Sequence, residues 1–260
     1  MTSTGHRPTT AVAARGTMDA AVWSALGTVR DPELDEPITD LGFVVAAAVT
    51  CGVAHVRLVL PTYFCAPNFA YLMVADAHDA VAAVPGVHTV DLALEDHFAS
   101  TEINAGVAAG AGFHRSFPGE AESPGGAGAE LDELRRTFQR KAHTACLERA
   151  CRRLVADGWS VEALGGVRLA DLSESAERRS LLRRRDDLGL STEPGDPLLV
   201  DDDGVPVPPE RLAAHLRFAQ AVRVSIEGNS GFCRGLLHTR YPELRDRLAD
   251  GGPVGEDGAR

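Results

Sequence analysis

Residues 118–130 carry the feature that most limits how this chain can fold. The segment reads PGEAESPGGAGAE and has no apolar periodicity. It cannot bury enough surface to order itself, so it predicts a linker between two domains rather than one continuous core. We predict an α/β domain over 17–117 and a mainly helical domain over 131–248. We also expect a disordered leader at 1–16 and a disordered tail at 249–260.

Two apolar runs in the first half predict a β-hairpin. The runs FVVAAAVT and VAHVRLVL are rich in valine and are separated by Cys51-Gly52, which suits a tight turn. A later run, HTVDLAL, places Val90 and Leu92 on one face and predicts a third strand.

Helical patterns frame these strands. One helix is predicted after Thr17, a good N-cap, and a second begins at Pro67 and ends at Pro85-Gly86. A short third helix is predicted from Ser100. The order is α-β-β-α-β-α. A crossover helix makes the second and third strands parallel, so we predict a small α/β (α+β) domain with a mixed three-stranded sheet.

The second half has the apolar spacing of helices. We predict a long helix that ends at Gly158 and a second, in LSESAERRSLLRRRDDLG, that begins with a serine cap. A third, PPERLAAHLRFAQAVRVSIEG, should end at Gly228, and NSGFCRGLLHTRYPEL should form a fourth. Together these predict a helical bundle or arm.

Charge and composition argue against several classes of protein. The formal net charge is −11, whereas a general nucleic-acid binder needs a basic surface. No apolar run approaches the roughly 20 residues of a membrane span, and the first residues lack the apolar core of a signal peptide. The five cysteines are an odd count at irregular spacing. They predict free thiols in a reducing compartment and therefore a cytoplasmic protein.

Cys65 is the leading candidate for a functional residue. It stands just before the helix predicted at Pro67, where unpaired N–H groups and the helix dipole stabilise negative charge. A thiol there should ionise more readily, and a thiolate is both a nucleophile and a ligand for soft metals. Thr62 could hydrogen-bond the sulfur. The alternative is a small buried side chain that fills the corner between strand and helix.

A second candidate feature is the acidic turn DPELDEPITDLGFV at 31–44. Asp31-Pro32 is a turn signal, and carboxylates suit a solvated loop. Taken alone, Asp31 and Glu33 are best interpreted as capping and solubilising residues.

Together, the two stretches resemble a known family. Proteins that assist metal–sulfur cluster assembly, including SufT-like factors and the PaaD-like proteins of aerobic phenylacetate degradation, share an Asp-Pro-Glu turn, a Leu-Gly pair at a strand start, and a Thr and a reactive Cys at a strand–helix junction. The resemblance covers roughly 18–117. The matching residues here are Asp31, Pro32, Glu33, Leu41, Gly42, Thr62 and Cys65.

The resemblance implies an accessory role in iron–sulfur cluster assembly or in maturation of a metal-containing client enzyme, rather than catalysis. The PaaD-like branch would make a multicomponent diiron oxygenase the client. One thiolate cannot hold a cluster, which usually needs about four ligands. Cys65 would therefore hold iron or a cluster transiently, pair across a homodimer, or engage a thiol of a client or of an iron–sulfur assembly protein. Asp31, Pro32, Glu33, Gly42 and Thr62 would support it.

Two other functions remain open from the sequence. Cys65 could be the nucleophile of a thiol-dependent transferase or hydrolase, which would need a base within about 3 Å of the sulfur. It could also be inert within a module that binds a client.

A metal ligand role for His97 is a further prediction. His97 follows the third strand between Asp96 and Phe98, and imidazole suits iron. Residues in such a position are more often turn or cap residues. On the long helix of the second half, the spacing of His143, Cys146 and Cys151 does not match a zinc site.

Overall fold

The computed structural model describes residues 9–117 and 126–244. It divides into two compact units. Of the described residues, the first comprises 9–32, 36–117, 126–131 and 231–244, and the second comprises 33–35 and 132–230. Parts of the predicted leader and linker, and the whole predicted tail, lie outside the described residues.

The first unit contains the predicted α-β-β-α-β-α order and confirms the predicted fold class. A further short helix, α4, follows it. The elements are α1 (Thr9–Leu26), β1 (Val44–Thr50), β2 (Val53–Leu58), α2 (Pro67–Ala82), β3 (Thr89–Leu94), α3 (Ser100–Ala108) and α4 (Phe113–Ser116).

The sheet has the order β1-β2-β3, with β1 and β2 antiparallel and β2 and β3 parallel. The hairpin turn falls at the predicted pair, where Cys51 has φ 53° and Gly52 has φ 78°. Two positive φ angles are typical of the type I′ turn that matches strand twist. A Cβ on Gly52 would come within 2.7 Å of the His88 ring, so glycine is favoured by space as well as by backbone.

The core of this unit lies between the sheet and two helices. Along β2 every second residue is buried, and α1 and α2 pack against each other and against the sheet. Val22, Leu26 and Val81 are fully buried from the helix side. Burying each such side chain contributes about 1.5–3 kcal/mol.

The second unit is mainly helical. Its elements are α5 (Gly126–Ala156) from residue 132 onwards, 3₁₀ turns at Glu162–Gly166 and Leu169–Asp171, α6 (Ala176–Asp187) and α7 (Pro209–Arg240) as far as residue 230. The last turns of α7, from residue 231, belong to the first unit. The serine cap is confirmed, because the Ser175 hydroxyl accepts a hydrogen bond from the Arg178 N–H at 3.1 Å. Leu147, Leu181 and Leu198 lie at the centre of its core.

A buried arginine organises the loop that follows α6. The Arg185 guanidinium donates to the carbonyl oxygens of Ser191, Pro197 and Leu198 at 2.7–3.0 Å. The carbonyl of Leu198, which is buried, would otherwise lose its water without replacement. Arg185 therefore stabilises this loop through its hydrogen bonds as well as its packing.

The structure corrects the predicted break at Gly228. The third and fourth predicted helices are one helix, α7, which continues through Gly228, Gly231 and Gly235. Glycine within a helix costs about 1 kcal/mol relative to alanine. Beyond the glycines, Leu237 is fully buried, and its packing offsets part of that cost.

Two helices also begin earlier than predicted. The helix expected after Thr17 starts at Thr9, inside the predicted leader, and α5 starts at Gly126, inside the predicted linker. Both added stretches contain alanine, the best helix former, so they extend helices that the core already stabilises. None of the helices in the described ranges is long and apolar enough to cross a membrane.

Candidate functional site

Cys65 lies in the loop between β2 and α2. The helix begins at Pro67, whose lack of an N–H is harmless in the first turn, so Cys65 stands two residues before it as predicted. Its side chain is half-buried. The two strands and α2 therefore hold a cysteine at the unit surface rather than inside the core.

Thr62 is the hydrogen-bond partner of the thiol. Its Oγ1 lies 3.2 Å from Cys65 Sγ and also accepts the Phe64 N–H at 3.2 Å. A hydroxyl has one proton to donate, and Phe64 already occupies one of its lone pairs. One lone pair and the proton both remain, so the Thr62 hydroxyl can accept from the thiol S–H or donate to a thiolate.

His97 joins a second loop to the cysteine backbone. Its Nε2–H donates to the Cys65 carbonyl oxygen at 2.8 Å, and its Nδ1 accepts the Ala99 N–H at 3.2 Å. Burial lowers the pKa of His97, the hydrogen bond to Cys65 opposes this, and the Arg240 guanidinium lowers it further. Both ring nitrogens are engaged with the backbone, so binding a metal through His97 would require breaking one of these bonds.

Three aromatic side chains, two from the Cys65 loop and one from the His97 loop, lie against one another. The ring centroids of Tyr63 and Phe64 are 5.0 Å apart, and Phe98 lies 5.9 Å from Phe64. Phe64 is 76% exposed, and the other two rings are each 46% exposed. We call Tyr63, Phe64 and Phe98 the aromatic collar. Contiguous exposed aromatic surface of this kind is typical of protein-binding sites.

The end of α7 also contacts both loops of this site. Arg240 donates to the carbonyl oxygens of Leu60 and Asp96, and the Tyr241 hydroxyl donates to the Asp96 carboxylate at 2.9 Å. The sequence analysis did not assign these residues to the site. They are 144 to 180 positions from their partners, and no local pattern reports such pairs.

The Asp-Pro-Glu turn is divided between the two units. Asp31 is buried in the first unit, where its N–H donates to the Glu36 carbonyl at 3.0 Å. Glu33 belongs to the second unit, where Asn229 donates to its carboxylate at 3.2 Å. Asp31, Pro32 and Glu33 therefore shape a loop, and their predicted support of Cys65 stays a prediction.

Gly42 has a clear backbone role. Its φ of 80° lies in the left-handed region, where other residues are strained. The turn is closed by the Gly42 N–H, which donates to the Thr39 carbonyl, and by the Phe43 N–H, which donates to the Ile38 carbonyl. Gly42 thus directs the chain into β1.

The cysteines of α5 are in a different environment. Burial raises the pKa of Cys146 to about 11 and that of Cys151 to about 12, and the neighbouring Asp35 carboxylate adds to the effect on Cys146. Buried neutral thiols are poor ligands and nucleophiles. Within residues 9–117 and 126–244, no group of three or more His, Cys, Asp or Glu side chains is arranged to hold a metal ion.

A comparison with known protein families gives a match in the first half of the chain. Residues 19–92 match the model of a family described as iron-sulfur cluster assembly protein. The chain therefore contains a domain of this family, and Thr62 and Cys65 lie within the match. His97 and residues 132–230 of the second unit lie outside it. No curated protein matches the chain, and no solved structure matches it.

Proposed function

We propose that this protein is an accessory factor in iron–sulfur cluster assembly that matures a metal-containing client enzyme through Cys65. The observation that carries the proposal is the half-buried Cys65 thiol, which lies within the residues that match the family model. Its sulfur is 3.2 Å from the hydroxyl oxygen of Thr62, within hydrogen-bonding distance. The thiol handles iron or a cluster as cargo, which it holds and then releases.

The surroundings of the sulfur favour this role over a thiol-dependent enzyme. A hydrolase or transferase needs a base on the sulfur, usually an imidazole. His97 is the nearby imidazole, but it donates to the Cys65 carbonyl oxygen instead. Among the residues that the structure describes, the side chain that hydrogen-bonds the sulfur is the Thr62 hydroxyl. Threonine can stabilise a thiolate but is not a general base at neutral pH.

The aromatic collar supports a partner protein as the source of the remaining ligands. A cluster usually takes about four ligands, and Cys65 supplies one. Exposed rings beside the thiol allow a cysteine-bearing surface of a client, or of another iron–sulfur assembly protein, to dock against it. The inert-cysteine alternative, a module that only binds a client, uses the same collar without the thiol.

The finer identity of the partner follows from the sequence resemblance. A PaaD-like role makes a multicomponent diiron oxygenase the first client to test. A homodimer would bring two Cys65 thiols together, and a cytoplasmic location would keep them reduced. These three statements are part of the proposal.

The test compares metal loading of a client with and without the thiol. Wild type, Cys65→Ser and the matched control Cys51→Ser, whose cysteine is exposed on the hairpin turn, are purified without oxygen with a candidate diiron oxygenase component. We expect Cys65→Ser to lose client loading of iron while Cys51→Ser retains it, with unchanged circular dichroism in both.

The opposite result has a defined meaning. If folded Cys65→Ser loads the client as well as wild type does, Cys65 is a packing residue. The protein would then be a client-binding module with an inert cysteine. If Cys65→Ser instead abolishes a hydrolytic or transfer activity of the isolated protein, the enzyme alternative is correct.

A further inference from the structure

The two loops of the Cys65 site are joined at two places. On one side, the His97 Nε2–H donates to the Cys65 carbonyl at 2.8 Å, and the Phe98 N–H donates to the Tyr63 carbonyl at 3.1 Å. On the other, Arg240 donates to the carbonyls of Leu60 and Asp96. Leu60 begins the Cys65 loop, and Asp96 directly precedes His97. One guanidinium therefore links the two loops that the histidine also links.

Tyr241 reinforces this contact. Its hydroxyl donates to the Asp96 carboxylate at 2.9 Å, and the Arg240 guanidinium carbon lies 5.1 Å from the centre of the Tyr241 ring. Burial raises the pKa of Tyr241 to about 12, and the hydrogen bond to Asp96 adds to this, so the hydroxyl keeps its proton at neutral pH. Asp96 has a φ of 52°, a strained angle that these bonds help to hold.

We propose that Arg240, assisted by Tyr241, is a positioning residue of the Cys65 site. It holds the loop that begins at Leu60 against the loop that carries His97, and so fixes the exposure of the thiol. Arginine suits the task because its planar fork can donate to two acceptors at once, which the single ammonium of lysine does with poorer geometry.

The proposed positioning residue lies outside the segment that matches the family model. Arg240 lies at the end of α7, far beyond residues 19–92. The proposal deepens the proposed function, but its test measures the thiol itself rather than iron. The positioning role of Arg240 and the maturation function of Cys65 can therefore be rejected independently.

The experiment measures the rate at which iodoacetamide alkylates Cys65 in the folded full-length protein, read by peptide mass spectrometry. Iodoacetamide is uncharged, so removal of an arginine does not change its local concentration. Cys51 is exposed in the same unit and serves as an internal reference in every sample. The variants are Arg240→Ala, Arg240→Lys and Tyr241→Phe.

Arg234→Ala is the matched control. Arg234 lies on the same stretch of α7 in the same unit, but it pairs with the Glu36 carboxylate rather than with the Cys65 loops. Circular dichroism and the thermal midpoint check the fold of each variant. If Arg240→Ala does not fold, the milder Arg240→Lys and Tyr241→Phe variants decide the question.

We expect Arg240→Ala to raise the Cys65 rate by about threefold or more, because local opening exposes a half-buried thiol. Arg240→Lys and Tyr241→Phe should give smaller increases, while Cys51 and the Arg234→Ala control should stay at the wild-type rate. Unchanged Cys65 rates in all three variants would overturn the proposal. So would an equal increase in Arg234→Ala, which would indicate general loosening of α7. Altered Cys65 rates with client loading independent of Cys65 would retain the positioning role and reject the maturation function.

Discussion

The Cys65 loop and the cysteines of α5 place the same thiol in opposite surroundings. Cys65 is half-buried at a helix start, with a hydroxyl at 3.2 Å and exposed rings beside it. Cys146 and Cys151 are buried in a helical core, where burial raises the pKa of each thiol. The difference teaches that position in the fold, rather than residue type, separates a thiol suited to chemistry from one suited to packing.

The polar partners differ as well. Cys146 lies near the Asp35 carboxylate, which forms a buried ion pair with Arg184. Around Cys65 the polar partners are the Thr62 hydroxyl, at the sulfur, and the His97 imidazole, at the backbone carbonyl. In the α5 region, removing one partner of the ion pair would leave the other charge buried without compensation. The Cys65 loop should instead accept a change of its thiol without loss of the fold.

The largest effect is expected from breaking the ion pair beside Cys146. Asp35→Ala should lower the free energy of unfolding by about 3 kcal/mol, because the Arg184 charge stays buried without one of its two carboxylate partners among the described residues. Urea unfolding measures the loss. Asp35→Asn, which retains hydrogen bonding and tolerates the left-handed backbone, should cost less. Equal stability of Asp35→Ala and wild type would show that the ion pair contributes nothing.

Acid should destabilise the α5 region, because this region contains the buried His143. Burial lowers the pKa of His143 to about 4, and Arg185 and His215 add to the shift. A folded-state pKa below the unfolded value near 6.5 means that this stability is fully present above pH 6.5. It is lost as the pH falls from about 6.5 towards 4, and the loss is of order 3 kcal/mol.

His143→Gln tests this pH dependence. The variant should flatten the fall in the free energy of unfolding between pH 6.5 and 4, measured by urea titration at several pH values. His88→Gln, at an exposed histidine of the first unit, is the matched control and should retain the fall. A wild-type slope in His143→Gln would contradict the prediction.

The smallest expected change in stability comes from replacing a cysteine by serine, and this change should differ between the two regions. Cys151→Ser buries a hydroxyl in an apolar core and should cost about 1–3 kcal/mol. Cys65→Ser should change stability by less than about 0.5 kcal/mol, since the side chain is half-buried and already faces a hydroxyl. Chemical denaturation of both variants gives the comparison directly. Equal losses would mean that Cys65 is a packing residue after all.

Much of the fold was readable from local pattern. The hairpin at Cys51-Gly52, the helix start at Pro67 and the serine cap of α6 follow from residue types at fixed spacing, and the structure confirms all three. The position of Cys65 before a helix belongs to this class. Such features depend on neighbours within a few residues, which the sequence displays.

The features that could not be predicted from the sequence depend on contacts between residues far apart in the chain. Arg240 bonds carbonyls far back along the chain, and the break predicted at Gly228 is removed by packing of residues beyond it. His97 was considered as a metal ligand because imidazole suits iron. Its bonds to backbone atoms could not be read from the residue type alone.

The most direct test of the account is whether iron bonds to Cys65. Wild type, Cys65→Ser and Cys51→Ser are each mixed with the candidate client, which supplies the remaining ligands, and given ferrous iron and sulfide without oxygen. Unbound iron and sulfide are removed by gel filtration, and the absorption band of sulfur-to-iron charge transfer is recorded. We predict a band in wild type and Cys51→Ser that is lost in Cys65→Ser. A band of equal strength in Cys65→Ser would contradict the claim that Cys65 is the working thiol of this protein.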